Sequence, residues 1–219
     1  KRELEYASRQ LTAIEVNGTY YGSQKPESFA RWHDETPADF VFALKGPRFA
    51  TNRRVLAEAG DSIGKFVESG ITRLKAKLGP INWQFMATKK FDAKDFAAFL
   101  SLLPEKHDGL ALRHAVEVRH PSFACADFVA LCRAHNVAII TSGDSEFPLI
   151  ADVTAGFGYV RIMGTSEKEK MGYSKAAIAK WAGRAKEWAQ GGVPKDLPLH
   201  AKAAARTPLA QTRASLPSV

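Results

Sequence analysis

The sequence predicts an α/β fold, a barrel of parallel strands wrapped by helices. Three observations predict it: strand-length apolar segments alternate with amphipathic helical ones, polar residues recur on one side of those strands, and no nucleotide-binding loop follows any of them. The third observation separates two architectures, because an open doubly wound sheet usually carries G-x-G-x-x-G or a P-loop after a strand. Closing a barrel takes eight strands, and six are recognisable here.

In chain order the strands are "TAIEVN" (12–17), "FVFALK" (40–45), "INWQF" (81–85), "AVEVR" (115–119), "VAIITSGD" (137–144) and "YVRIMG" (159–164). Helices are predicted from Pro26 to His33, Asp61 to Leu78, Ala93 to Leu103, Phe123 to His135 and Ser174 to Gln190. Pro26 suits a first helical turn, and Asp92 and Ser174 suit N-caps. Phe29, Trp32, Phe66 and Phe96 fall on these helices and read as core.

The 219-residue chain is 45% apolar and 25% charged, the composition of an ordinary globular domain. No apolar stretch reaches the roughly eighteen residues of a membrane span, and "KRELEYASRQ" has no apolar signal region, so the expectation is a cytoplasmic protein without membrane contact. Cys125 and Cys132 lie seven apart, about 10 Å along a helix, and are expected to remain thiols. The +8 net charge is uneven. From Thr165 to Val219 ten basic residues face four acids, which leaves only +2 for the preceding 164. A solvated basic C-terminal end explains this and argues against a nucleic-acid partner.

Successive strand side chains face opposite sides, so each strand divides by parity. Val116 and Val118 oppose Ala115, Glu117 and Arg119; Ile14 and Val16 oppose Ala13, Glu15 and Asn17; Phe40, Phe42 and Leu44 oppose Val41, Ala43 and Lys45. Likewise Ile81, Trp83 and Phe85 oppose Asn82 and Gln84, while Val160 and Ile162 oppose Tyr159 and Arg161. The bulky side is expected under the helices and the polar side inside the barrel. On that reading Glu117 and Arg119 end a strand because that end is the mouth.

Taken together, "IEVNGTYYGSQKPESFARWHDETPADFVFALKGPRFAT", "EVRHPSF" and "YVRIMG" followed by "GYS" resemble the YecE-like domains, a family of unknown function, over roughly residues 1–190. The resemblance implies a TIM-like (β/α) barrel, incomplete at both ends, over 1–192, followed by a basic tail over 193–219 that is atypical for the family and is expected to add no strand. Its motif positions fall on Glu15, Asn17, Tyr20, Tyr21, Trp32, Lys45, Pro47, Arg48, Thr51, Gln84, Glu117, Arg119, His120, Asp144, Tyr159, Arg161 and Gly164. Asn52 stands where many relatives carry histidine.

The mouth is expected to gather acids (Glu15, Glu117, Asp144) and bases (Lys45, Arg119, Arg161). Glu15 and Glu117 suit a general acid/base pair, Lys45 a charge-stabilising or Schiff-base role, and Asp144 completes the catalytic candidates. Arg119 and Arg161 suit bidentate grip of a phosphate or carboxylate. Asn17, Tyr21, Arg48, Gln84, His120 and Tyr159 join them as substrate-binding candidates. No metal set stands out, since only His120 sits at a strand end and His33, His107, His114 and His135 read as surface or capping residues; the acids with His120 are the one arrangement for a hard cation. "GPRFATNRR" suggests an anion site built from Arg48, Arg53 and a helix beginning near Asn52, with Thr51 as a plain N-cap the simpler reading.

These residues point first to an enzyme using acid/base chemistry on a small polar, anionic or sugar-like metabolite. The alternatives are a metal-dependent phosphodiesterase or endonuclease-like activity on nucleic acid, and a non-catalytic ligand-binding barrel. No cofactor and no oligomeric state is specified by the sequence.

Overall fold

A computed structural model describes residues 3–201. They form two compact units, 3–85 with 94–115, and 86–93 with 116–201. The strands and helices alternate as a TIM-like α/β fold requires.

The first unit opens with α1 (Glu3–Ser8), β1 (Ala13–Val16), the single turn α2 (Gly18–Tyr21), α3 (Pro26–Asp34) and β2 (Val41–Lys45). It continues with α4 (Arg48–Thr51), α5 (Gly60–Val67), β3 (Leu78–Gln84), α6 (Ala93–Ser101) and a hairpin of β4 (Lys106–His107) and β5 (Leu110–Ala111), up to the start of β6 (His114–Glu117). The second unit holds the end of β6, α7 (Ala126–Ala134), β7 (Ala138–Gly143), β8 (Tyr159–Ile162) and α8 (Lys175–Ala189). The main sheet has the order β1-β2-β3-β6-β7-β8. Registers of β1 with β2, β2 with β3, and β7 with β8 are parallel.

The parity split is visible in the packing. Phe42 on β2 meets Phe40 at 5.0 Å and Trp32 of α3 at 6.1 Å between ring centroids. On β3, Trp83 meets Phe66 of α5 at 5.9 Å and Phe99 of α6 at 5.8 Å, and Phe85 meets Phe96 and Phe99. These rings bury large apolar area in edge-on contacts. In the second unit Val160 packs on a cluster of Ala151, Trp181, Trp188 and Leu197. Packing there continues past Gly192: Leu197 is buried, and Asp152 accepts from the backbone N–H groups of His200 (2.8 Å) and Ala201 (3.1 Å). No strand occurs over 193–201, and the rest of the predicted tail lies outside the described residues.

Several expectations are corrected. The helix predicted from Asp61 to Leu78 ends at Val67, and a 3-10 segment, Ile71–Lys77, follows. Gly70 makes the break at φ 97°, and a Cβ there would lie 2.7 Å from Pro26. β3 begins three residues before the predicted strand, because Pro80 is accommodated where the β2–β3 register shifts. The β4–β5 hairpin, turning on Asp108 (φ 45°) and Gly109 (φ 78°), is absent from the predicted elements. Ser174 does cap α8, accepting from Ala177 N–H at 3.2 Å. Both cysteines are free thiols; Cys132 is buried, and burial pushes its pKa up. Among the described residues no helix is long and apolar enough to cross a membrane.

Candidate functional site

In the first unit the polar sides of β1, β2 and β3 carry two hydrogen-bonded pairs, Glu15 with Asn82 and Lys45 with Asn17. Glu15 lies opposite Ala43, and Lys45 opposite Asn82. Because Ala43 is short, the Glu15 carboxylate reaches over β2 and accepts from Asn82 Nδ2 at 3.0 Å. Lys45, buried, donates from Nζ to Asn17 Oδ1 at 3.2 Å, and its ammonium stands 5.3 Å from the centroid of the Tyr20 ring. Thr19 Oγ1 donates to the Lys45 carbonyl at 2.7 Å, which ties the first turn after β1 to the end of β2. Gln84, at the end of β3, is buried. Tyr21 is 65% exposed, edge-on to Tyr20, with the Arg48 guanidinium 6.0 Å from its centroid.

The second unit repeats the device with stronger charges. Glu117 is fully buried, at 0% exposure. Its Oε1 accepts from Arg119 Nε at 3.0 Å and Nη2 at 2.8 Å, and its Oε2 accepts from Arg161 Nη1 at 2.5 Å. Arg161 lies on β8 opposite Ser142 of β7, so the ion pair spans β7 over a small side chain. The Ser142 hydroxyl, buried in that position, has no hydrogen-bond partner among the described residues. The Arg119 guanidinium also stands 4.5 Å from the Phe147 ring centroid. Despite their shared carboxylate, the side chains of Arg119 and Arg161 remain 25% and 23% exposed. Tyr159, half-buried, opens β8 on the same side as Arg161.

The remaining candidates take other positions. Asp144 is exposed, in the left-handed region at φ 51°, and accepts from Trp181 Nε1 at 2.6 Å. Gly164 donates its N–H to the Tyr173 hydroxyl at 2.6 Å, and burial, followed by the nearby Asp144, raises the Tyr173 pKa. Trp181 and Tyr173 are absent from the sequence-derived candidates, although "GYS" drew attention to the latter. His120 caps the 3-10 turn Pro121–Phe123, with Nδ1 2.8 Å from Ser122 Oγ and accepting from Ser122 N–H at 3.1 Å.

Three readings of local structure are revised. No helix begins near Asn52: Pro47 precedes the one-turn α4, which ends at Thr51, and Asn52 closes it. Thr51 therefore caps nothing; its hydroxyl is buried without a hydrogen-bond partner among the described residues. His114 is no surface residue. It opens β6 fully packed, its Nδ1 accepting from Trp83 Nε1 at 3.1 Å, and since indole only donates, the ring proton sits on Nε2, 2.8 Å from the Pro104 carbonyl. Burial lowers its pKa. Among the described residues no three His, Cys, Asp or Glu side chains gather in a metal-binding arrangement.

The family model described as "Protein of unknown function DUF72" matches residues 1–210. The UPF0759 protein YecE of Escherichia coli (strain K12) is 32% identical over 123 residues, 55% of this chain; the match spans 42% of that relative's length. A DUF72 family crystal structure from Enterococcus faecalis V583 superposes with a TM-score of 0.65 at 19% identity, covering 84% of this chain and 80% of the other. Another, from Thermotoga maritima MSB8, gives a TM-score of 0.64 at 21% identity over 85% and 76%. At such identities the likeness concerns the fold. With residues 1–210 of its 219 matched by the family model, the chain belongs to the DUF72 family, whose function is unknown.

Proposed function

We propose that this chain is an enzyme acting on a small polar, anionic or sugar-like metabolite, and that Arg119 and Arg161 hold the anionic group. The observation that carries this reading is the Glu117 cluster. A fully buried carboxylate fixes two guanidiniums that are each still about a quarter exposed. Two arginines on one carboxylate leave the trio with one net positive charge. A planar guanidinium already held in place loses little freedom on gripping a carboxylate or phosphate.

Glu117 is assigned the positioning role, since guanidinium N–H groups occupy both of its oxygens. Asp144, in the same unit as the two arginines, is then the group for proton transfer or charge stabilisation, to be tested by its own substitution. Tyr159, also in that unit, supplies a neutral hydrogen bond of the kind that orients a polar ligand.

The test is a thermal-shift screen over organic acids, sugar phosphates and neutral sugars, with and without divalent cations, followed by mass spectrometry of every hit for turnover. A ligand of the native state at a hundred times its Kd stabilises by about 2.7 kcal/mol. The expected result is an anionic hit whose shift disappears in Arg119→Ala and Arg161→Ala. Hits that shift both variants as much as the parent would refute the assignment, and binding without turnover would make the chain a ligand-binding protein.

A further inference from the structure

One opening in the first unit is not formed by the polar sides of the strands. It is a cavity of about 600 Å³ between the turn after β2, including α4, and helix α5. Its wall carries three cations, Arg48, Arg53 and Lys65, and among the described lining residues no carboxylate. Arg53 Nη2 reaches Ser62 Oγ on α5 at 3.3 Å, so the two elements are bridged through the wall. The apolar part of the lining includes Phe66, buried, and Phe49, which stands 61% exposed with the Arg48 guanidinium 5.4 Å from its ring centroid.

This combination has a chemical reading. A cavity of this volume matches pockets that enclose a whole small molecule, which range from about 300 to 1,000 Å³. Arg48 and Lys65, both exposed on this wall with Arg53 beside them, favour a multiply charged anion, and a phosphate monoester presents about −2 near neutral pH. An exposed phenyl ring beside them offers a face on which a heterocycle stacks. We infer that the α4–α5 cavity binds a phosphate monoester carried on an aromatic body, a ligand of mononucleotide size, with Arg48, Arg53 and Lys65 on the phosphate and Phe49 and Phe66 on the ring. The site uses neither Arg119, Arg161 nor Asp144, on which the proposed function rests, and the two assignments stand or fall separately.

Adenosine monophosphate is the probe. Calorimetric titration of the full chain compares it with adenosine, inorganic phosphate and a single-stranded oligonucleotide, and then repeats the titration on Arg48→Ala and Lys65→Ala. Both side chains are exposed, so the variants keep their fold, which circular dichroism verifies. The expected result is one site per chain, displacement by inorganic phosphate, adenosine much weaker than the monophosphate, and about a tenfold loss of affinity in each variant, the size of one charge-assisted hydrogen bond. The inference is overturned if the monophosphate binds no better than adenosine or not at all, or if both variants bind it as the parent does. It is equally overturned if the oligonucleotide binds more tightly than the monophosphate, which would make this a nucleic-acid surface.

Discussion

Replacing Glu117 by Gln changes almost nothing in shape and removes the negative charge that Arg119 and Arg161 share. The amide oxygen still accepts from one guanidinium, but the amide nitrogen is turned toward the other, donor against donor. Since Glu117 is fully buried and its partners are about three-quarters buried, solvent makes up for the lost charge only in part. Breaking a buried ion pair from one side costs about 3 to 5 kcal/mol. With a urea m-value of about 2 kcal/mol per molar, the midpoint should fall by about 2 M at unchanged slope. Equilibrium unfolding in urea at pH 7 reads this directly, and Glu117→Gln combined with Arg161→Met should recover part of the loss if the two residues are coupled. A single-variant loss below about 1 kcal/mol would show that the cluster behaves as a solvated surface pair, and the positioning role of Glu117 would have to be abandoned.

His114 makes stability depend on pH. Its folded pKa lies below the ordinary value, so the unfolded chain takes up the proton first; stability from this group is intact above about pH 6.5 and declines as pH falls below it, by at most about 1.4 kcal/mol per pH unit. His114→Gln should flatten that part of the urea-midpoint profile between pH 7 and 5. Lys77 is buried with its ammonium on the carbonyls of His33 and Thr36 and on Thr36 Oγ1, and burial lowers its pKa. Lys77→Met should cost about 3 kcal/mol by leaving buried carbonyls unpaired at the end of α3; a neutral outcome in thermal unfolding would deny the lysine that role. A Cβ on Gly143 would meet the Trp181 ring at 2.3 Å. Gly143→Ala should therefore cost about 1 to 3 kcal/mol and displace the Trp181 indole from Asp144, visible as a changed indole N–H resonance; an unmoved resonance would contradict the crowding.

The parts of the fold that were legible in the sequence are those governed by period two. Alternation along "FVFALK" and "INWQF" separates the rings packed on α3, α5 and α6 from Lys45, Asn82 and Gln84, because a strand cannot turn one residue without turning all. Pairing of Glu117 with Arg119 follows from the same rule; its second partner, Arg161, required the strand order, which no local pattern contains. Local breaks were harder. Gly70 breaks an otherwise helical pattern at φ 97°, and the neighbour that excludes a side chain there, Pro26, lies forty-four positions away. The Asp108–Gly109 turn carried a readable signal, a favoured hairpin dipeptide, but flanks of two residues each are too short to register as strands. Burial of His114 and Lys77 was hidden because both types are usually wet, and their partners, Trp83 and the end of α3, come from distant sequence. The α4–α5 cavity depends on side-chain placement across two short elements, and only Arg48 and Arg53 of its lining were readable, in "GPRFATNRR".

In the strand order β1 and β8 are the outer members, and their side chains are largely half-exposed. Each is laced to the second strand inward: β1 to β3 through Glu15 and Asn82, and β8 to β6 through Arg161 and Glu117. Fraying of an outer strand thus strips a polar contact from a strand it does not border, as well as its own ladder of hydrogen bonds. Opening at either edge is therefore a three-strand event, and amides of β1 and β8 should exchange with solvent more slowly than their exposure alone would set, in step with those of the third strand in. Ala43 and Ser142, the short residues beneath the two bridges, control that rhythm without taking part in it; lengthening either one would loosen an edge from its middle.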